Sequence, residues 1–179
     1  FTCERTLCRD AAHLFNYMTG YARPEPMRKL AAAPIDLRAS LLRHIDEEIA
    51  NAKDGKPSGI WAKMNSLVDE EIIRALYDAA KAGVRVRLAV RGICCLRPGL
   101  KGTSDSIEVV SVVDRFLEHS RIFHFRNGGD EEVYLSSADW MPRNLDKRIE
   151  LLFPVESLEG RQKVLSALEA ILQDNVKGR

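Results

Sequence analysis

The run Val84-Arg85-Val86-Arg87-Leu88-Ala89-Val90-Arg91 alternates with period two, the mark of a strand with one buried face. A helical segment precedes it. Asp69 serves as its N-cap, Glu70 and Glu71 fall in the first turn, where the helix dipole favours acids, and Gly83 follows Lys81 as a stop. Ahead of that helix, Ile60-Trp61-Ala62-Lys63-Met64-Asn65 reads as a short strand. Strand, helix and strand over residues 60–91 form a βαβ unit, whose crossover sets its two strands parallel. The class expected from this unit is α/β, with a mixed sheet flanked by helices.

The flanking segments extend that pattern. Residues 10–19 predict a short amphipathic helix, and Pro24 and Pro26 break regular structure after it. A longer helix starts after Asp36, an N-cap, carries Leu37, Leu41, Leu42, Ile45 and Ile49 on one stripe, and ends at Gly55. Strands are expected at 107–112, 120–125, 132–136 and 148–154, with a short helix or turn at 113–118. Asn127-Gly128-Gly129-Asp130 supplies the positive φ values of a hairpin. A last amphipathic helix spans 157–174, and the tail 175–179 reads as frayed.

At 179 residues the chain suits one domain of ordinary size, with room for a segment shared with a neighbour. Lys and Arg number 27 against 26 Asp and Glu, a net charge of +1. That balance excludes a nucleic-acid-coating protein and an acidic tail protein. Cys3, Cys8, Cys94 and Cys95 have no zinc-knuckle spacing and read as reduced thiols of a cytosolic protein. No apolar run approaches the ~20 residues that span a bilayer, and no signal peptide is recognisable. The chain opens on Phe1 rather than Met, which reads as a fragment or a processed chain.

Four segments carry polar residues that a plain core would not need. Lys63-Met64-Asn65-Ser66 lies at the C-terminal end of a strand, where ligands of open α/β sheets gather. Arg91-Gly92 ends the next strand. An arginine fork suits phosphate and the glycine permits close approach of a ligand, with a surface salt bridge the plain alternative for Arg91. His119 and Arg121 lie two apart at a strand start, so both point to one face, where imidazole and guanidinium can hold a phosphoryl group. His13, His44 and His124 read as structural. Residues 134–144 run from a strand into a loop with Ser136, Ser137, Asp139, Arg143 and Asn144, equally readable as an ordinary turn.

Together, the runs KMNSLVD (63–69), VRGICCLRPG (90–99), FLEHSRIFHF (116–125) and SSADWMPRNLDKRIE (136–150) resemble the C-terminal region of the histidine-phosphorylated bacterial polyphosphate kinases. The similarity extends over the whole chain. It implies a phospholipase D-like fold, with residues 1–35 the tail of one such domain and 36–179 the next. It implies reversible transfer of the terminal phosphate of ATP, through a phosphohistidine, to inorganic polyphosphate. ATP or ADP is the implied substrate and Mg2+ the implied metal. The phosphoacceptor histidine and the magnesium ligands would lie ahead of Phe1, leaving no metal ligand in this chain. Arg91 and His119 fall on family positions that contact ATP, and His119 would stabilise phosphate or give it a proton. Lys63, Asn65, Arg121, Asp139 and Asn144, at strand ends and in loops, are the further phosphate-binding candidates. The family also implies a cytoplasmic homo-oligomer, peripheral at the inner membrane in some members, with no nucleic-acid partner.

The wider phospholipase D signature is His-x-Lys, an Asp five residues past the Lys, then Gly-Ser-x-Asn. This chain has His119-Ser120-Arg121, Arg126 at the acid's place, and Ser136-Ser137-Ala138-Asp139. A phosphodiesterase built on a histidine pair would keep the lysine and the acid, so phospholipid cleavage is the second enzymatic reading. A third is a non-catalytic nucleotide- or polyanion-binding and oligomerising module, the favoured reading for these residues in isolation. Arg91, Arg97, Lys101, Arg121, Arg126 and Arg143 are expected to make a local basic pocket inside a balanced chain.

Overall fold

The computed structural model describes residues 2–21, 26–113, 115 and 117–174. Its strands are β1 (Ala31–Ala33), β2 (Ile60–Met64), β3 (Val86–Val90), β4 (Ile107–Val110), β5 (Arg121–Phe125), β6 (Glu132–Ser136) and β7 (Glu150–Pro154). Its helices are α1 (Arg5–Met18), α2 (Leu37–Lys53), α3 (Glu70–Lys81), α4 (Pro142–Lys147) and α5 (Leu158–Leu172). The strands form one sheet in the order β1-β7-β6-β5-β2-β3-β4. β2, β3 and β4 run parallel, as the βαβ reading requires, and the remaining pairs are antiparallel. The expected mixed sheet is therefore present.

Helices α2 and α3 cover one face. Leu37, Leu41 and Ile45 from α2 and Ile72, Leu76 and Ala79 from α3 are buried with Ile60, Met64, Leu88, Phe123 and Phe125 of the sheet. Each fully buried leucine, isoleucine or phenylalanine there contributes about 1.5–3 kcal/mol. On the other face α5 buries Leu168 and Leu172 against Ala89 and Ile122, a much smaller apolar cluster. α3 starts as expected, with the Asp69 side chain accepting the Ile72 N–H. Ser157 caps α5 in the same way, accepting from Gly160 at 3.1 Å.

Several expectations shift. α1 begins five residues before Asp10, because Glu4 caps it and accepts the N–H groups of Thr6 and Leu7. Asp10 lies inside that helix and is buried. Its Oδ2 accepts the backbone N–H groups of Arg28, Lys29 and Leu30 at 2.9, 2.7 and 3.1 Å. Asp36 occupies the N-cap position of α2 but accepts the Ala32 N–H at 2.8 Å instead of a helix donor. β1 and α4 were not expected. β1 pairs with β7, so the sheet takes in residues ahead of position 36. The strand expected at 148–154 starts at Glu150. The described residues of 113–118 form no helix, and Asp114 and Phe116 of that stretch lie outside the described residues. So do residues 22–25, where the proline break was expected, and the tail 175–179. The β5–β6 turn has the anticipated positive φ at Asn127, Gly128 and Gly129. Among the described residues, no helix is long and apolar enough to cross a membrane.

Candidate functional site

β5 runs antiparallel to β2, and β6 antiparallel to β5. The start of β5 and the end of β6 therefore meet the C-terminal ends of β2 and β3 along one edge of the sheet. Three loops leaving that edge are stitched together through Leu67. Its N–H donates to Ile93 O at 2.8 Å and its carbonyl accepts from Cys95, while Val68 and Asp69 donate to Trp140 O at 2.8 and 2.9 Å. Trp140 is fully buried, with its ring 4.9 Å from that of Phe123. The loop bearing Asp139 is thus anchored by its neighbouring residue.

Asp139 is the hub. Its carboxylate accepts two parallel bonds from Arg121, Nε to Oδ1 at 3.1 Å and Nη2 to Oδ2 at 3.0 Å. It also accepts the Asn65 backbone N–H at 2.7 Å and the Asn65 side-chain amide at 3.1 Å. Burial alone would raise this carboxyl, but the Arg121 and Asn65 bonds outweigh it and hold the pKa below the usual carboxylate value. From Asn65 the network continues outward, its Oδ1 accepting Arg91 Nε at 2.6 Å. From Arg121 it continues through Nη1 to the His119 carbonyl at 3.1 Å, with the same nitrogen 3.1 Å from His119 Nδ1. Nε2 of the same ring lies 3.5 Å from that nitrogen, and because a guanidinium only donates, the ring nitrogen it engages is an acceptor. His119 is exposed and Arg91 half-buried, whereas Asn65, Arg121 and Asp139 lie beneath them.

The structure thus brings five of the seven sequence-derived candidates into one hydrogen-bonded chain: Arg91, Asn65, Asp139, Arg121 and His119. Arg121 is turned inward onto Asp139 and His119, with its side chain only 11% exposed. Lys63 stands apart from the chain but lines a small cleft with Arg91 and Glu118. It donates to two backbone carbonyls and a hydroxyl, and burial lowers its pKa, opposed by the Glu118 carboxylate. Asn144 is buried and donates to Glu150 Oε1 at 2.6 Å, outside the network. Gly92 makes a close approach within the chain. Its N–H donates to Asn65 O, and a Cβ there would lie 2.7 Å from that oxygen, so the close approach is between two loops of the chain itself.

Arg126, expected in the basic pocket, follows the opposite end of β5, some 16 Å from Arg121 at ~3.3 Å per residue. It lies instead by Glu131 and over the Trp61 ring. Sequence reasoning missed Ser120 and the main-chain carbonyls of 118–120 as parts of the edge. Backbone acceptors have no signature in a sequence, although Ser120 lies between two residues that were singled out. His44, read as structural, is buried and stacked on Phe125 at 4.9 Å. Among the described residues, no group of three His, Cys, Asp or Glu is arranged to hold a metal ion. The edge presents mainly cations, which suit an anionic ligand better than a divalent metal.

Comparisons with known proteins place these features. A family model described as polyphosphate kinase C-terminal domain 2 matches residues 30–179. A polyphosphate kinase from Pseudomonas aeruginosa is 53% identical over 176 residues, which is 98% of this chain and 26% of that protein. The crystal structure of a polyphosphate kinase from Porphyromonas gingivalis superposes with a TM-score of 0.95 at 42% identity, covering 99% of this chain and 27% of that one. The chain spans about a quarter of the length of these relatives. A phospholipase D family member, Nuc from Salmonella typhimurium, superposes with a TM-score of 0.55 at 17% identity, over 84% of this chain and 95% of that one, a likeness of fold.

Proposed function

The chain belongs to the polyphosphate kinase family, as its C-terminal domain 2 with a phospholipase D-like fold, and from that premise we propose that it forms one wall of the phosphotransfer site in a longer enzyme. In this reading the enzyme moves the terminal phosphate of ATP, through a phosphohistidine, to inorganic polyphosphate and back. The phosphoacceptor histidine and the Mg2+ ligands belong to another part of that enzyme. Residues ahead of the sheet form the tail of a preceding phospholipase D-like domain.

Phosphoryl transfer depends mostly on positioning and on stabilising charge. Arg91 supplies a cation at the strand edge. Its Nε is fixed by Asn65, and its Nη nitrogens take no part in that bond. They are suited to two oxygens of a nucleotide phosphate. His119, exposed at the same edge, offers a ring nitrogen to a phosphate oxygen. Arg121 and Asp139 hold His119 from behind. Arg121 occupies the lysine position of the phospholipase D signature, but its inward ion pair withdraws it from a ligand, which weighs against phosphodiester cleavage.

One observation carries this reading: the two accessible groups, Arg91 and His119, are tied through buried Asn65 and Asp139 and the mostly covered Arg121 into a single array. The test is incubation of the full-length enzyme with radiolabelled ATP, followed by assay of acid-labile protein phosphate and polymer. Arg91→Ala and His119→Gln should each lower polymer synthesis by about 10- to 1,000-fold. The 179-residue chain alone should take up no acid-labile label. Wild-type rates in both variants, or a phosphohistidine on the isolated chain, would sink the assignment.

A further inference from the structure

Residues 118–120, which carry His119, precede β5 and are exposed. Hydrogen bonds reach their three consecutive carbonyls from two side chains. Lys63 Nζ donates to Glu118 O at 3.2 Å, to Ser120 O at 2.9 Å and to Ser120 Oγ at 3.0 Å. Arg121 Nη1 donates to His119 O at 3.1 Å. Lys63 sits in β2 with its side chain only 5% exposed, and the Glu118 carboxylate lies 3.9 Å away. An ammonium has three donors, and these three acceptors engage them all. All three donors are taken up within the chain, so a phosphate could be reached by Lys63 only in exchange for one of these acceptors. The side chain is therefore arranged as a clamp on the main chain rather than as a ligand.

We propose that Lys63 is a positioning residue for His119, gripping the carbonyls on either side of the histidine so that its exposed imidazole faces the transferring phosphate. Two fixed carbonyls flanking one residue restrain the backbone from which its ring projects. The third carbonyl, held by Arg121, restrains the same residue from within the Asp139 network. The proposal rests on the reading of His119 as a phosphate contact.

The experiment compares Lys63→Met, His119→Gln and the double variant in the full-length enzyme, with kcat and the KM for ATP measured during polyphosphate synthesis. Lys63→Met should lower kcat about 10- to 100-fold, with a smaller change in KM, because a misplaced catalytic group costs rate more than ground-state binding. In the double variant Lys63→Met should add nothing to the loss caused by His119→Gln. Losses that multiply, or a wild-type kcat in Lys63→Met, overturn the proposal. Should Lys63→Met show no cooperative thermal unfolding, Ser120→Ala removes one acceptor and leaves the charge covered. It should lower kcat about threefold, again only while His119 is present; a wild-type kcat there is equally fatal. A wild-type kcat in His119→Gln overturns the phosphate-contact reading itself and the proposal with it, and so is distinct from a failure confined to Lys63.

Discussion

Glu48 and Asp139 are both buried carboxylates, and they serve opposite ends of β2. Glu48, on α2, accepts the backbone N–H groups of Gly59 at 2.7 Å and Asn127 at 2.5 Å. Burial pushes its pKa up in spite of those bonds. Asp139 takes its bonds largely from the side chains of Arg121 and Asn65, and its pKa is pulled down. An acid held by the main chain fixes where two loops close and nothing more. An acid held by side chains sets the aim of those side chains, and here the next groups along are Arg91 and His119. The contrast separates an end of the sheet where a carboxylate joins main-chain segments from an end where a carboxylate orients side chains.

The largest effect should come from Asp139→Asn, which leaves the mostly covered Arg121 without its counter-charge. Unfolding in urea should report a loss of about 3–5 kcal/mol, and the full-length enzyme should lose activity with it; a loss below that range would mean that Arg121 finds another partner. Gly92→Ala comes next, because its Cβ would press on Asn65 O. About 1–3 kcal/mol of overpacking is expected, together with a raised KM for ATP as Asn65 shifts under Arg91. Glu48→Gln should cost about 1–3 kcal/mol, since an amide offers one oxygen where two N–H donors point. It should leave kcat and KM unchanged, and a change in either would break the comparison.

The smallest effect is in the pH dependence, where the two acids should differ in sign. Asp139 has a folded pKa below its ordinary 3.8. Its contribution is complete above the unfolded value and disappears as pH falls through the folded one. Glu48 has a folded pKa above its ordinary 4.5, so the folded state binds its proton more tightly. Ionisation then costs stability as pH rises through the unfolded value, and the loss is complete once the folded one is passed. Measured by denaturant unfolding, the advantage of the native chain over Asp139→Asn should shrink on acidification. Its advantage over Glu48→Gln should grow. Parallel trends would show that the two carboxylates are not distinguished by their partners.

Much of the fold was legible because its central elements obey strong periodicities. The 60–91 unit formed with its cap at Asp69 and its parallel pairing. β1 escaped notice because Ala31-Ala32-Ala33 has neither alternation nor branched side chains, and only pairing with β7 makes it a strand. α4 has six residues behind Pro142, too few for a helical stripe to show. At the candidate site, residue types and strand ends sufficed to single out Asn65, Arg91, His119, Arg121 and Asp139. What sequence could not supply was direction. Arg121 was expected to contact phosphate, and nothing in its sequence position announced its bonds to Asp139, which β6 brings within reach by folding back on β5. Lys63 was singled out for the same reason of charge at a strand end, yet its acceptors are carbonyls.

The reversal of β5 against β2 also bears on how the molecule comes together in time. The bond from Arg121 to Asp139 spans 18 residues, whereas that from Asn65 to Asp139 spans 74. Two doublings of the closed loop add about 1.2 kcal/mol of chain entropy, so the carboxylate can meet its arginine within the β5–β6 hairpin before β2 is in register. The array on the sheet edge thus joins contacts of very different reach along the chain, and the distant ones are those that slow folding.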